Sequence, residues 1–167
     1  MSNSIYLKID PIKGTSQDKD HGEWIELHSL SQSASKWQEM GSNYNDQVGK
    51  PQLTPFACSK KTDKATPEMI AGCVAGQLFD EAEIHICGQY GGGSTPQQKA
   101  YIKYKLKNVR IADLSSSANS GDGQGSQDAF SLAYDAIHME FIPIDTLGNE
   151  GASTELKYTV SKNEATY

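Results

Sequence analysis

The 167 residues are enough for one domain with a real core, and counting the 15 glycines with the 37% hydrophobic residues gives about 46%, an ordinary globular share that excludes a disordered chain. A net charge of −6 and a pI near 5.1 exclude a whole-surface attraction to nucleic acid or to an anionic membrane. No apolar run approaches the roughly 18–20 residues that cross a bilayer, so no membrane insertion is expected.

The chain opens on period-two alternation, with Ile5, Leu7 and Ile9 on one face and Tyr6, Lys8 and Asp10 on the other. Strands, not an apolar signal-peptide core, are therefore expected at the start, and the chain is expected to be made and folded in the cytosol. Residues 11–22 read as a polar turn, and residues 24–30 alternate again through Ile25 and Leu27. A polar stretch at about 31–51, rich in Ser, Gln, Asn and Gly, is too long for an idle loop inside a compact domain. Strand character returns at 52–60. One short helix is expected at about 67–75: Thr66 as N-cap, Pro67 in the first turn, Glu68 at the positive end, Met69, Ile70, Cys73 and Val74 at helical spacing, and Gly76 as the stop.

Ala82, Ile84 and Ile86 form the next strand, and the Gly91-Gly-Gly-Ser94 turn joins it as a hairpin to a long strand at 100–114. Its apolar parity changes near Lys107 and Asn108, from Ile102, Tyr104 and Leu106 to Val109 and Ile111. A second change follows Ala136, where Phe130, Leu132 and Tyr134 give way to Ile137, Met139 and Phe141. A β-bulge at each change would keep the apolar face inward and bend the strand. A Ser/Gly-rich loop lies at 115–127, and a last alternating strand carries Leu156, Tyr158 and Val160. The fold class is mainly β: a small antiparallel barrel of about eight strands, one flanking short helix, one long extended loop, and a single domain over 1–167.

Motifs of enzymes fail one by one. His21, His28, His85 and His138 lack metalloenzyme spacing and read as isolated hydrogen-bonding groups. Asp18, Asp20 and Glu23 resemble a calcium loop, but Glu23 stands where glycine is required and Ser29 where glutamate is; turn chemistry explains the acids. Gly121, Gly123 and Gly125 precede a strand, not the helix N-terminus that a phosphate cradle needs. There is no Gly-x-Ser-x-Gly. Cys58, Cys73 and Cys87 are odd in number, lack a Cys-x-x-Cys pair and read as buried or half-buried thiols. Lys99, Lys103, Lys105 and Lys107, with Tyr101 interleaved, read as a solvated face or one that meets acidic surface. No cofactor, metal, catalytic residue or nucleic-acid partner is expected.

Three ordered stretches resemble the haemolysin-coregulated protein (Hcp) family of type VI secretion. They are Ile5-Tyr-Leu-Lys-Ile-Asp with Gly14-Thr-Ser16-Gln-Asp18-Lys-Asp-His21; Asp63-Lys-Ala-Thr66-Pro67 through Cys73-Val-Ala-Gly76; and Ala82 to Cys87 with Tyr101-Ile-Lys-Tyr-Lys-Leu-Lys-Asn-Val. The resemblance implies a tube subunit that forms hexameric rings, stacks into a hollow tube, is driven out by a contractile sheath behind a VgrG-type spike, and carries secreted effectors in its lumen. It implies export from the cytoplasm without a signal peptide. The 31–51 arm is then an assembly loop, with Ser31, Trp37, Met40, Tyr44 and Val48 as contact candidates, and Ser115 and Ser116 are candidates for lining the lumen. The arm has fewer glycines than the family often shows, and Tyr167 follows the last strand too closely for an appended toxin domain. The competing expectation is a monomeric β-barrel that binds a small apolar ligand.

Overall fold

A computed structural model describes residues 3–37, 49–92, 95–121, 123 and 125–166. Among them the chain forms β1 (Ser4–Lys8), β2 (Ile25–Leu27), β3 (Ser29–Ser31), β4 (Ala34–Ser35), β5 (Gln52–Leu53), β6 (Phe56–Lys61), α1 (Thr66–Ala75), β7 (Phe79–Tyr90), β8 (Gln97–Ala118), β9 (Ser126–Ala133), β10 (Ala136–Phe141), β11 (Thr154–Thr159) and β12 (Glu164–Thr166). The mainly β class with one short helix stands. The strands outnumber the eight expected because three alternating segments are broken and because β4 and β12 form where no strand was expected. His28 divides β2 from β3, Thr54 and Pro55 divide β5 from β6, and Tyr134 and Asp135 divide β9 from β10. Pro55 has no N–H to give a ladder.

One sheet runs β12-β11-β10-β8-β7-β1-β2, and a branch adds β8-β9-β6-β3, all neighbours being antiparallel. β2 and β3 are successive halves of one segment, and the His28 N–H donates to Ser59 O at 2.7 Å. The two branches therefore meet at a bend at His28 and not through a ladder, so the sheet is barrel-like without closing into a continuous barrel.

The first parity change is not a bulge. Asn108 has φ 52, a left-handed residue that turns the long strand so that Leu106 and Val109 both point inward and are fully buried. Before it β8 pairs with β10, and after it with β9. The bulge in that half lies farther on, between Ile111 and Asp113. The second parity change is the break at Tyr134 and Asp135, which passes the chain from one branch of the sheet to the other.

The core joins both branches: Leu7, Ile9, Ile25, Ile84, Leu106 and Val109 meet Phe56, Phe130 and Leu132, with Met69 from α1. Helix α1 starts one residue earlier than expected and Thr66 is not its cap. Ala65 holds that place without a side-chain cap. The Thr66 hydroxyl serves a buried ion pair instead. Lys60 Nζ lies 3.1 Å from Asp128 Oδ2, both residues 1% exposed, and also reaches Asp63 at 2.8 Å and Thr66 Oγ1 at 2.8 Å. Thr66, Thr62 and Ser116 hydroxyls donate to the Asp128 carboxylate. The helix ends as expected at Gly76, φ 61, with its N–H on Cys73 O and the Gln77 N–H on Gly72 O, a Schellman closure. Of the four apolar positions at helical spacing, Met69 is buried and Cys73 half-buried, whereas Ile70 and Val74 face outward.

Candidate interaction surfaces

The outer face of the β3-β6-β9-β8 branch is built from small residues. Register places Ser29, Ser59, Ala129 and Ser115 in one row, and Ser31, Ala57, Ser131 and Asp113 in the next. The side chains tie to one another: Ser29 Oγ and Ser59 Oγ are 2.6 Å apart, and Ser131 Oγ donates to Asp113 Oδ1 at 3.1 Å. With no long side chain in either row, the face is flat and polar. Ser115 lies on it. Ser116, one residue on, points to the opposite side of the strand, where its hydroxyl donates to Asp128 Oδ1 at 2.8 Å. The two serines therefore do not share a surface. Ser31 belongs to β3 and sits on the same small-residue face as Ser115, at the opposite edge of the branch and one row away.

The arm is a two-stranded ribbon at its root, β4 pairing with β5, and the Gly49 N–H donates to Trp37 O at 2.8 Å. Within the root the Ser33 N–H donates to Thr54 Oγ1 at 2.8 Å, and the root is held to the barrel by Leu53 packed on the core and by the Thr54 carbonyl, which accepts the Tyr134 hydroxyl at 3.1 Å. Trp37 stands 64% exposed. Met40, Tyr44 and Val48 lie outside the described residues.

The histidines are not all isolated. His21 is buried, stacked on Tyr6 at 4.4 Å between ring centroids and met edge-on by Trp24. Its Nδ1–H donates to Asp18 Oδ2 at 2.7 Å, which leaves Nε2 of the neutral ring as acceptor for His85 Nδ1–H at 2.9 Å. Cys87 Sγ is 4.0 Å from the same Nε2. Cysteine, histidine and aspartate thus stand in the order of a nucleophilic triad, which no local spacing reveals because Cys87 and His21 are 66 residues apart. The chemistry is nevertheless wrong for a nucleophile. Cys87 is 1% exposed, burial raises its pKa to about 11, and His85 occupies the nitrogen that a base would use. His85 itself falls to about 4, first through burial and then through His21, Lys103 and Lys105. Burial pushes Asp18 up, but hydrogen bonds from His21 and the Asp20 N–H hold it below its ordinary value. The Asp20 N–H bond to Asp18 is the expected turn chemistry of this acidic segment. Among the described residues no cluster of His, Cys, Asp or Glu is placed to hold a metal ion.

The lysine stripe finds its acids within the same sheet. Lys105 Nζ lies 3.6 Å from Glu81 and 3.7 Å from Glu83, and Glu140 stands opposite Lys103. The grooves over this face, the one lined by Lys105, Lys107, His138 and Lys157 among them, are open and on the surface, while the barrel interior is filled by the core. A further apolar stripe, Ile70, Val74 and Leu78, lies exposed along α1 and just beyond it.

Comparison with known proteins gives a consistent set of relatives. The family described as "Type VI secretion system effector, Hcp" matches residues 6–141. Protein hcp1 of Pseudomonas aeruginosa is 24% identical over 164 residues, 98% of each chain. A solved type six secretion system protein superposes with a TM-score of 0.89 at 25% identity, covering 99% of this chain and 100% of its own. Hcp1 from Salmonella typhimurium superposes with a TM-score of 0.78 at 22% identity, over 99% and 100% of the two chains.

Proposed function

The chain belongs to the Hcp family of type VI secretion proteins, and from that membership we propose that it is a structural, non-catalytic subunit of the inner tube. Subunits close into hexameric rings, the rings stack into a hollow tube, and the tube leaves the cytoplasm inside a contractile sheath, behind a VgrG-type spike, with effectors in its lumen. The observation that carries this reading is the flat small-residue face with Ser29, Ser31, Ser59, Ser115 and Ser131. A lumen must be smooth and wettable to let unrelated cargo pass, and hydroxyls and methyls one or two atoms long supply that. Ser31 and Ser115 are the lumen candidates on this reading; Ser116 serves the buried ion pair. The ribbon with Trp37 supplies the second element, an arm that reaches a neighbouring subunit or ring. The competing picture of a monomeric ligand-binding barrel finds no support in an interior filled by Leu7, Ile84, Leu106, Phe130 and Leu132.

Mass in solution tests the proposal. Light scattering across a wide concentration range should find a species near six subunits, and negative-stain images should show a central hole. A clean monomer at every concentration would sink it.

A further inference from the structure

The outer face of β8, β10 and β11 holds a cup lined by cations. Register sets two rows across these three strands: Lys105, His138 and Lys157 in one, and Lys107, Ala136 and Thr159 in the next. All six point away from the core, because Leu106, Ile137 and Tyr158 between them face inward. Ala136 and Thr159 are short and half-buried, so they form a floor that the longer side chains overlook. The groove encloses about 410 Å³, a size that suits a small ligand, and no carboxylate lines it among the described residues. In a chain of net charge −6 that is the reverse of the average surface. The acids nearby stand outside the cup. Glu81 and Glu83 approach Lys105 from the β7 side at 3.6 and 3.7 Å, Glu155 lies 4.0 Å from Lys157, and Glu164 is opposite Thr159 on β12. Glu81 faces Lys107 in register but reaches Lys105 instead, which leaves Lys107 without an ion pair among the described residues. His138 Nε2 is buried and makes no hydrogen bond, although Glu155 Oε2 is 3.4 Å away. Cations gathered on neighbouring strands repel one another, and an anion in the cup would relieve that.

We propose that this cup binds a small molecule carrying two linked phosphate groups, held by Lys105, Lys107 and Lys157 over the Ala136 and Thr159 floor. The site lies within one chain and needs no second copy, so it goes beyond the tube-subunit reading and does not depend on it. With strands about 4.8 Å apart and same-face residues about 6.8 Å apart, the Cα atoms of Lys107 and Lys157 stand about 12 Å from each other at opposite corners of the block. Lys105 takes a third corner. Two linked phosphates present charge at both ends of such a span, whereas a single phosphate does not. Lysine binds phosphate as a mobile point charge, while the flat edge of a carboxylate is matched best by the planar fork of arginine, and no arginine lines the cup. Thr159 adds a hydroxyl to the floor. Inorganic pyrophosphate and the tail of a nucleoside diphosphate share this chemistry.

Calorimetric titration of the full chain with pyrophosphate, inorganic phosphate and ADP, all at one ionic strength, tests the site. Pyrophosphate should bind in equal stoichiometry with the chain and at least about ten-fold more tightly than phosphate. Lys107→Gln and Lys157→Gln, both at exposed positions, should each weaken pyrophosphate by about ten-fold or more with an unchanged melting temperature. Ala136→Leu, which fills the floor and leaves every charge in place, should abolish binding, whereas Lys64→Gln, at an exposed position outside the cup, should bind like wild type. ADP that binds as tightly as pyrophosphate identifies a nucleotide tail as the ligand; ADP that is excluded while pyrophosphate binds identifies the free anion. The proposal is overturned if pyrophosphate does not bind, if phosphate binds equally well, if Ala136→Leu or the two cup lysine variants bind like wild type, or if Lys64→Gln loses as much as they do.

Discussion

His21 is held from four sides, by the Tyr6 ring, the Trp24 edge, the Asp18 carboxylate and the His85 ring, so that the turn at 11–22 is pinned to β1 and β7. Burial first, and then His21, Lys103 and Lys105, disfavour a charge on His85. Since the pKa of His85 falls from 6.5 to about 4 on folding, the unfolded chain binds its proton first. The stability this histidine contributes is complete above pH 6.5 and is lost as pH falls toward 4. His85→Gln, which keeps a donor, should flatten that part of a denaturant-midpoint profile; an unchanged slope would show that other groups cause it. Lys60 and Asp128 make a second residue-scale case. Burial pushes the Asp128 carboxyl up, but the Thr66, Ser116, Lys60 and Thr62 bonds hold it low, so its contribution persists above the ordinary 3.8 and is lost below it. Asp128→Ala leaves the buried Lys60 with Asp63 as its one remaining carboxylate and should cost about 3 kcal/mol in chemical denaturation. A matched apolar pair, Lys60→Met with Asp128→Leu, should recover most of that loss.

At the scale of elements, the arm and the barrel are separable. The ribbon root joins the barrel through the Thr54–Tyr134 bond and through Leu53 of β5, which packs against the core, whereas the core draws on neither β4 nor the exposed Trp37. Replacing residues 36–50 with a short turn should leave the melting transition close to that of wild type and abolish the large species in light scattering. Assembly that survives the deletion would remove the arm from the interface. The helix shows why spacing alone misleads. Met69, Ile70, Cys73 and Val74 recur at helical intervals, yet one side of a ten-residue helix suffices to cap the core, and Val74 remains 84% exposed.

For the whole molecule, charge and apolar area are segregated. The Lys105, Glu81 and Glu83 side of the sheet is neutralised within the chain, and the reverse side of β10 and β11 is apolar and open. If copies of the chain meet through the open face, that contact should persist when salt is raised from about 0.1 M to about 1 M, which shortens electrostatic reach from about 10 Å to about 3 Å. Dissociation at high salt in size-exclusion runs would assign the contact to the charged side instead.

Local periodicity was enough to show a β protein with one helix, because alternation and helix-stop chemistry are properties of neighbouring residues. The ordered motifs from Ile5 to Val109 were enough to bring out the family. The segments 24–30, 52–60 and 130–141 also read correctly as extended, but their breaks did not show, since a residue such as Tyr134 alternates acceptably whether or not the strand ends there. Tertiary structure alone decided what pairs across the chain: His21 with His85, Lys60 with Asp128, and Ser115 on one surface with Ser116 on the other. It also decided that Phe141 ends on an open face though it alternates like any core residue. Alternation states that a side chain faces one side of a sheet; which strands lie beside it, and whether anything covers that side, depends on how the two branches of the sheet meet.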